Sequence, residues 1–214
     1  HELRSPLAVI QASSSAILAD SSKTEVFLAA IQKECQRMAR LVNDMLVLAS
    51  ADTKGWQIAR EQIDMDTLLL DVYEHFEPLC ASRHAILKLT LPDAPLPPVL
   101  GDRERLEQIL AILIDNAIAY ALPEGCRCDS PSIELSAWES RHHLCISVAD
   151  HGPGIPEADR IRVFDRFYRS DHSRRDKSHF GLGLSVAKEL AHLHGGSLTL
   201  ADTPGGGCTF LLKL

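Results

Sequence analysis

Asp150-His151-Gly152-Pro153-Gly154, followed after a phenylalanine-containing basic stretch by Gly181-Leu182-Gly183-Leu184, is the part of this 214-residue chain that decides its reading. A carboxylate entering a glycine turn can accept a hydrogen bond from the exocyclic amine of adenine. Gly152 and Gly154 remove the side chains that would hold a base away from the backbone. The second turn opens a helix whose first N–H groups have no partner within the helix, so Gly181, Leu182 and Gly183 suit phosphate. Between the two turns, Val163 to Arg169 reads as an apolar and basic helix running into a polar stretch that ends at His179, a composition suited to a hinged lid. Arg169 and Arg174 are placed to reach a terminal phosphate. Either glycine turn alone is only a turn; their order, and two elements upstream, give them weight.

The first of these is Asp115-Asn116-Ala117, on a helix expected over Asp102–Ala121. The amide oxygen of Asn116 can hold Mg²⁺, which prefers octahedral oxygen ligands and bridges nucleotide phosphates. A buried Asn satisfied by backbone is the plainer alternative. Tyr120, one turn on, either stacks on adenine or closes the core. The second element is His1-Glu2-Leu3-Arg4-Ser5-Pro6-Leu7. A carboxylate that holds one imidazole nitrogen leaves the other free as a nucleophile, and Pro6 orphans the carbonyl of Glu2 and is expected to bend the helix just past His1.

Composition narrows the class. A hydrophobic content of 45% is ordinary for a globular chain, and a formal net charge of −7 with a pI near 5.8 offers no basic surface for general nucleic-acid binding. No run of about 18 apolar residues is present to span a bilayer. Cys35, Cys80, Cys126, Cys128, Cys145 and Cys208 are scattered like the thiols of a reduced intracellular chain, and Cys126 and Cys128 are too close for the usual zinc spacing.

Apolar residues at helical spacing (Leu3, Leu7, Ile10; then Ile31, Cys35, Met38, Val42, Met45) predict a helical hairpin turning at Asp20 to Thr24. Two such stripes call for a second copy and a four-helix bundle. A break at Asp52 to Gly55 separates this hairpin, residues 1–53, from a second domain, residues 54–214. There the pattern predicts strands at Gln57–Arg60 and Ala85–Leu91 around a helix over Met65–Ser82. A proline-rich loop at Asp93–Leu100 follows, then hairpins Ser132–Trp138 with Leu144–Asp150 and Ser197–Ala201 with Cys208–Leu214. The expected class is α+β: a helical hairpin followed by an α/β sandwich. No P-loop and no dinucleotide-binding turn occurs.

Taken together, these motifs resemble those of sensor histidine kinases of bacterial two-component systems, over nearly the whole chain and in the family's order. His1 to Leu7 resembles the phosphoacceptor H box; Gly101 to Leu110 through Asn116 to Tyr120 resembles the N box and its approach. Asp150 to Gly154, Phe164 to Arg169 and Gly181 to Leu184 resemble the G1, F and G2 boxes. The resemblance implies a dimerising phosphotransfer hairpin joined to an ATP-binding domain of the Bergerat (GHKL) fold. It implies that His1 takes the γ-phosphate of MgATP and yields it to an aspartate of a response regulator, with Glu2 as base or orienter, Asn116 on Mg²⁺ and Asp150 on adenine. Ser5 stands where a Thr or Asn often positions water for dephosphorylating the regulator. A membrane-anchored parent with this portion in the cytoplasm is implied, the anchor lying outside the chain. Because the chain begins on the H box, a weak dimer or a monomer is expected for it.

Departures from the family pattern cluster at the phosphate end. Ile112 stands one helical turn before Asn116 where a first Asn is usual, Ala119 precedes the Tyr where Lys or Arg is frequent, and His179-Phe180 replaces Gly then Ser or Thr before Gly181. Arg169 and Arg174 are therefore expected to carry more of the phosphate charge. One competing reading is a degenerate ATP-binding scaffold or regulator phosphatase. A GHKL ATP hydrolase is disfavoured, because Ile112 occupies the place of the water-activating Glu.

Overall fold

The computed structural model describes residues 3–51, 58–121, 132–169 and 180–214. Two antiparallel helices, α1 (Arg4–Ala19) and α2 (Thr24–Ala51), are joined through Asp20 and a 3₁₀ turn at Ser21–Lys23. Asp20 Oδ1 accepts from the Ser22 N–H at 2.9 Å, which fixes the reversal and lowers the pKa of this carboxyl. In the described chain α1 begins at Arg4, so Pro6 sits in its first turn, where a missing N–H costs no helical bond. The bend expected just past His1 lies outside the described residues.

Beyond the hairpin, β1 (Glu61–Ile63), α3 (Met65–Ser82), β2 (Ile86–Thr90), β3 (Val99–Gly101), α4 (Arg103–Ala121), β4 (Ser132–Ser140), β5 (His143–Asp150), α5 (Glu157–Arg160), α6 (Gly183–Leu193), β6 (Ser197–Asp202) and β7 (Cys208–Lys213) follow. Asp64 caps α3 by accepting from the Thr67 N–H at 2.9 Å. Five of the strands form one sheet in the order β2-β4-β5-β7-β6, antiparallel except for the β2–β4 pair. Alternation along β4 buries Ile133, Leu135 and Ala137 on the face covered by helices. Leu68, Leu69 and Val72 of α3, Ile109, Leu110, Leu113 and Ile114 of α4, and Val186, Ala187 and Leu190 of α6 fill the other side of that core. The α+β class of the sequence reading is the class observed.

Three expectations are corrected. The strand expected at Gln57–Arg60 forms instead at Glu61–Ile63, pairing antiparallel with β3, so the end of the presumed loop Asp93–Leu100 belongs to a second, two-stranded sheet. Register decides this: Ile63 is the buried position and faces Val99. The helix expected over Val163–Arg169 is a chain of tight turns, Val163 and Arg162 donating to Asp159 O, Asp165 to Arg162 O and Tyr168 to Asp165 O, and Phe167 at φ 62° breaks any continuation. Only Glu157–Arg160, after Pro156, is helical there.

The hairpin is not independent of the sheet domain. Leu41, Val47 and Leu48 of α2 are 0%, 4% and 4% exposed and belong to the same core as α6. Asp44 lies one helical turn from both Leu41 and Leu48, and burial pushes its carboxyl up to about 6, against the opposing effect of the Arg40 charge. A folded-state pKa above the unfolded value means that the charged form is disfavoured in the fold. The stability this group contributes is full below the unfolded pKa and is lost as pH rises through about 6. Asp44→Asn is therefore expected to match wild type in urea midpoint near pH 4 and to exceed it at pH 7.5. A constant offset across that range would contradict the assignment.

Candidate functional site

The site starts at the end of β5. Asp150 is 8% exposed, and its Oδ1 accepts from the N–H of Gly152 at 2.9 Å and from the N–H of Cys208 at 3.2 Å. Burial raises its pKa; the two backbone hydrogen bonds and the neighbouring His151 act in the opposite direction. The turn that follows is shaped by glycine at Gly154, φ 74°. Across from it, the three glycines before β7 all have positive φ. Gly207 is the tightest, since a Cβ there would lie 2.0 Å from the Asp150 carbonyl oxygen. The sequence reading took Gly205-Gly206-Gly207 as a hairpin turn and gave it no part in the site. It is the wall that holds Asp150, and the run of three consecutive glycines was the available signal. Burial, with the charges of Asp150 and Asp202, pushes the Cys208 thiol up to about 11, so it stays protonated.

On α4, Asn116 Nδ2 is buried with no hydrogen-bond partner among the described residues. An orphaned buried amide is rare in folded proteins and suits a ligand. At Nδ2, no backbone group among the described residues satisfies the side chain. The residue types fit a magnesium nucleotide: the Asn116 Nδ2 donor suits a phosphate oxygen, its Oδ1 is the atom that would hold the metal, and a buried carboxylate suits the base. Tyr120 is carried by the same helix one turn further on; its side chain lies outside the described part.

The second glycine turn leads into α6. Its N-cap, Leu182, makes no side-chain capping hydrogen bond, and the first N–H groups of a helix suit an anion. Inside the helix Ser185 Oγ donates to Leu182 O at 2.7 Å. Gly181 has φ 74°, and a Cβ there would meet Tyr168 O at 2.6 Å and Arg169 Cγ at 3.0 Å. The segment after Asp150 therefore returns directly onto this turn, bringing Arg169 to it. Gly183 faces Ile112, whose Cγ2 would lie 3.2 Å from an added Cβ. Ile112 thus packs the phosphate-side turn against α4, one helical turn before Asn116. Phe164 stacks edge-on against Phe210 at 6.3 Å, and Tyr168 Oη donates to Asp159 Oδ1 at 2.6 Å, which hold the described part of the intervening segment.

Ser5 is exposed on the first turn of α1. His1, Glu2, Arg174, Cys126 and Cys128 lie outside the described residues. Among the described residues no group of three metal-ligating side chains occurs, and no helix is long and apolar enough to cross a membrane.

Residues 101–214 match the family model described as histidine kinase-, DNA gyrase B-, and HSP90-like ATPase, and residues 1–54 match that of the His Kinase A (phospho-acceptor) domain. Sensor histidine kinase WalK of Bacillus subtilis (strain 168) is 36% identical over 219 residues, covering 100% of this chain and 35% of that protein. The histidine kinase AdeS of Acinetobacter baumannii has a similar structure, with a TM-score of 0.79 at 25% identity, covering 100% of this chain and 96% of that one. Full-length ShkA, solved in complex with AMPPNP, gives a TM-score of 0.74 at 26% identity over 89% of this chain and 38% of that one. The chain spans less than half the length of the first curated relatives it matches.

Replacement of Gly207 by Ala is expected to cost about 3 kcal/mol of stability, combining backbone strain with the clash on Asp150. The same change at Gly205, also at positive φ but in open space, costs only about 1 kcal/mol. Chemical denaturation of the two variants checks this, and equal losses would show that the approach to Asp150 carries no weight.

Proposed function

This chain belongs to the sensor histidine kinases of two-component systems, and from that premise we propose that it binds MgATP between Asp150 and the α6 turn, phosphorylates His1, and passes the phosphoryl group to an aspartate of a response regulator. The observation that carries the reading is the buried, unpartnered amide of Asn116 on the helix that packs, through Ile112, against the uncapped start of α6. A buried polar atom left without a partner is costly unless a ligand completes it. ShkA's complex with AMPPNP supports a triphosphate as that ligand.

In this reading residues 1–53 are the dimerisation and phosphotransfer hairpin and residues 54–214 the ATP-binding domain. Asp150 accepts from the adenine amine. Gly152 and Gly154 let the base approach the backbone, and Tyr120 covers it. The N–H groups at Gly181, Leu182 and Gly183 hold phosphate oxygens, joined by the charges of Arg169 and Arg174. Mg²⁺, when bound, neutralises phosphate charge, and Asn116 is the residue that would hold it. A ring nitrogen of His1 attacks the γ-phosphorus, the N–P bond forms as the bond to the ADP oxygen breaks, and Glu2 takes up the proton or the charge left on the imidazole. Ser5 serves the reverse duty of placing water for dephosphorylation of the regulator. Leu3, Leu7, Val42, Met45 and Leu46 are all more than a third exposed on the hairpin, which supports pairing with a second copy. The parent is a membrane-anchored sensor with this portion in the cytoplasm.

A second reading is favoured by Ile112 and Phe180, which stand where phosphate-side polar groups are usual: a weak nucleotide binder acting as scaffold or phosphatase. Incubation of the chain with γ-labelled MgATP separates the two. Acid-labile, base-stable label is expected on wild type and is expected to fall to background in His1→Gln and in Asn116→Asp. A folded wild type that binds ATP and takes no label would favour the second reading.

A further inference from the structure

Helical spacing along α2 puts Arg37, Leu41, Asp44 and Leu48 on one face, and Leu41 and Leu48 are buried in the core that also contains Leu182, Val186 and Leu190. Arg37, on that same face, touches the nucleotide turn's own flank. Its guanidinium carbon lies 4.2 Å from the centroid of the Phe180 ring. Phe180 directly precedes Gly181 and is 8% exposed. The Arg37 side chain is 12% exposed and is paired with Glu34 at 3.3 Å, while its Nε is buried with no hydrogen-bond partner among the described residues. The ring face and one carboxylate therefore hold a largely desolvated cation, the situation in which a cation–π contact is strongest.

The position of Phe180 bears on ligand geometry because the next residue has no slack. Gly181 is pinned against Tyr168 and Arg169, and α6 opens two residues later without a side-chain cap. A shift of Phe180 is transmitted to the N–H groups of that turn. The residue before Gly181 is thus a ring buried beside α2.

We infer that Arg37 is a positioning residue for the phosphate end of the nucleotide: through Phe180 the docked hairpin fixes the Gly181–Gly183 turn, so phosphorylated nucleotides bind more tightly to the docked form. This rests on the nucleotide-binding reading above. Linkage makes the effect reciprocal, so a phosphorylated nucleotide tightens docking by the same factor. The base end, centred on Asp150, is indifferent to it.

Calorimetric titration of the full chain with AMPPNP and with adenosine tests this in wild type, Arg37→Gln, Phe180→Leu and the double variant. Hydrogen exchange of the 181–186 amides is followed without nucleotide. Each single change is expected to weaken AMPPNP roughly three- to thirtyfold, to leave adenosine within about twofold, and to speed exchange at the turn. The double variant should be no weaker than the worse single, because both remove one contact, and Arg37→Lys should recover part of the loss. Unchanged AMPPNP affinity in the single variants, additive losses in the double, or equal weakening of adenosine would overturn the role of Arg37. A wild type that binds neither ligand would remove the nucleotide reading itself, and this role with it.

Discussion

The carboxylate of Asp150 is the constraint on which the ligand side of this molecule depends. It is buried, and both of its hydrogen bonds fall on Oδ1, from Gly152 and Cys208. A buried carboxylate with fewer partners would shed its charge or leave its pocket. Holding it requires the start of β7 to pass so close to the end of β5 that residue 207 can carry no Cβ. That approach in turn fixes the register of β5 on β7, with Ala149 opposite Thr209 and Val148 opposite Phe210. Phe210 then receives Phe164, so the turns after Asp159 are tied to the same strand.

Much of this was legible because local chemistry and long-range packing agree. Asp150 reads as the last residue of a strand entering a glycine turn, and that is its place. Asn116 reads as a polar residue among Ile109, Leu110, Leu113 and Ile118, and its amide nitrogen has no partner among the described residues. The hairpin, the long helices and the paired strands of the main sheet follow from periodicity alone. The failures have physical causes. Strand β1 has three residues, too short for alternation to register, and is defined by its pairing with β3. The turns after Asp159 have the apolar and basic composition of a helix; positive φ at Phe167 and the Tyr168 to Asp159 bond override it. The contact of Arg37 with Phe180 joins residues far apart in sequence, on elements that each read well by themselves, and no local pattern encodes it.

The two ends of the site are built by different means. At the base end, backbone N–H groups and absent side chains fix one carboxylate, and little there depends on the hairpin. At the phosphate end of the proposed site, side-chain packing shapes the turn: Ile112 lies under Gly183, Arg169 lies beside Gly181, and Phe180 lies under Arg37. Apolar packing gives the turn its shape but contributes no charge to meet phosphate.

Charge must then come from the helix terminus and from side chains that reach in from other elements. A helix N-terminus supplies about half an elementary charge, well short of a triphosphate's need. On the proposed reading the remainder falls to Arg169 and Arg174 from the stretch between the glycine turns, while Arg37 of α2 acts on the turn only through Phe180. In the proposed reading, recognition of the base belongs to the sheet domain, while the hold on phosphate depends on how the other parts are arranged around it. A signal that moves the hairpin would act on phosphate without disturbing the base, which is the coupling a regulated phosphotransfer enzyme requires.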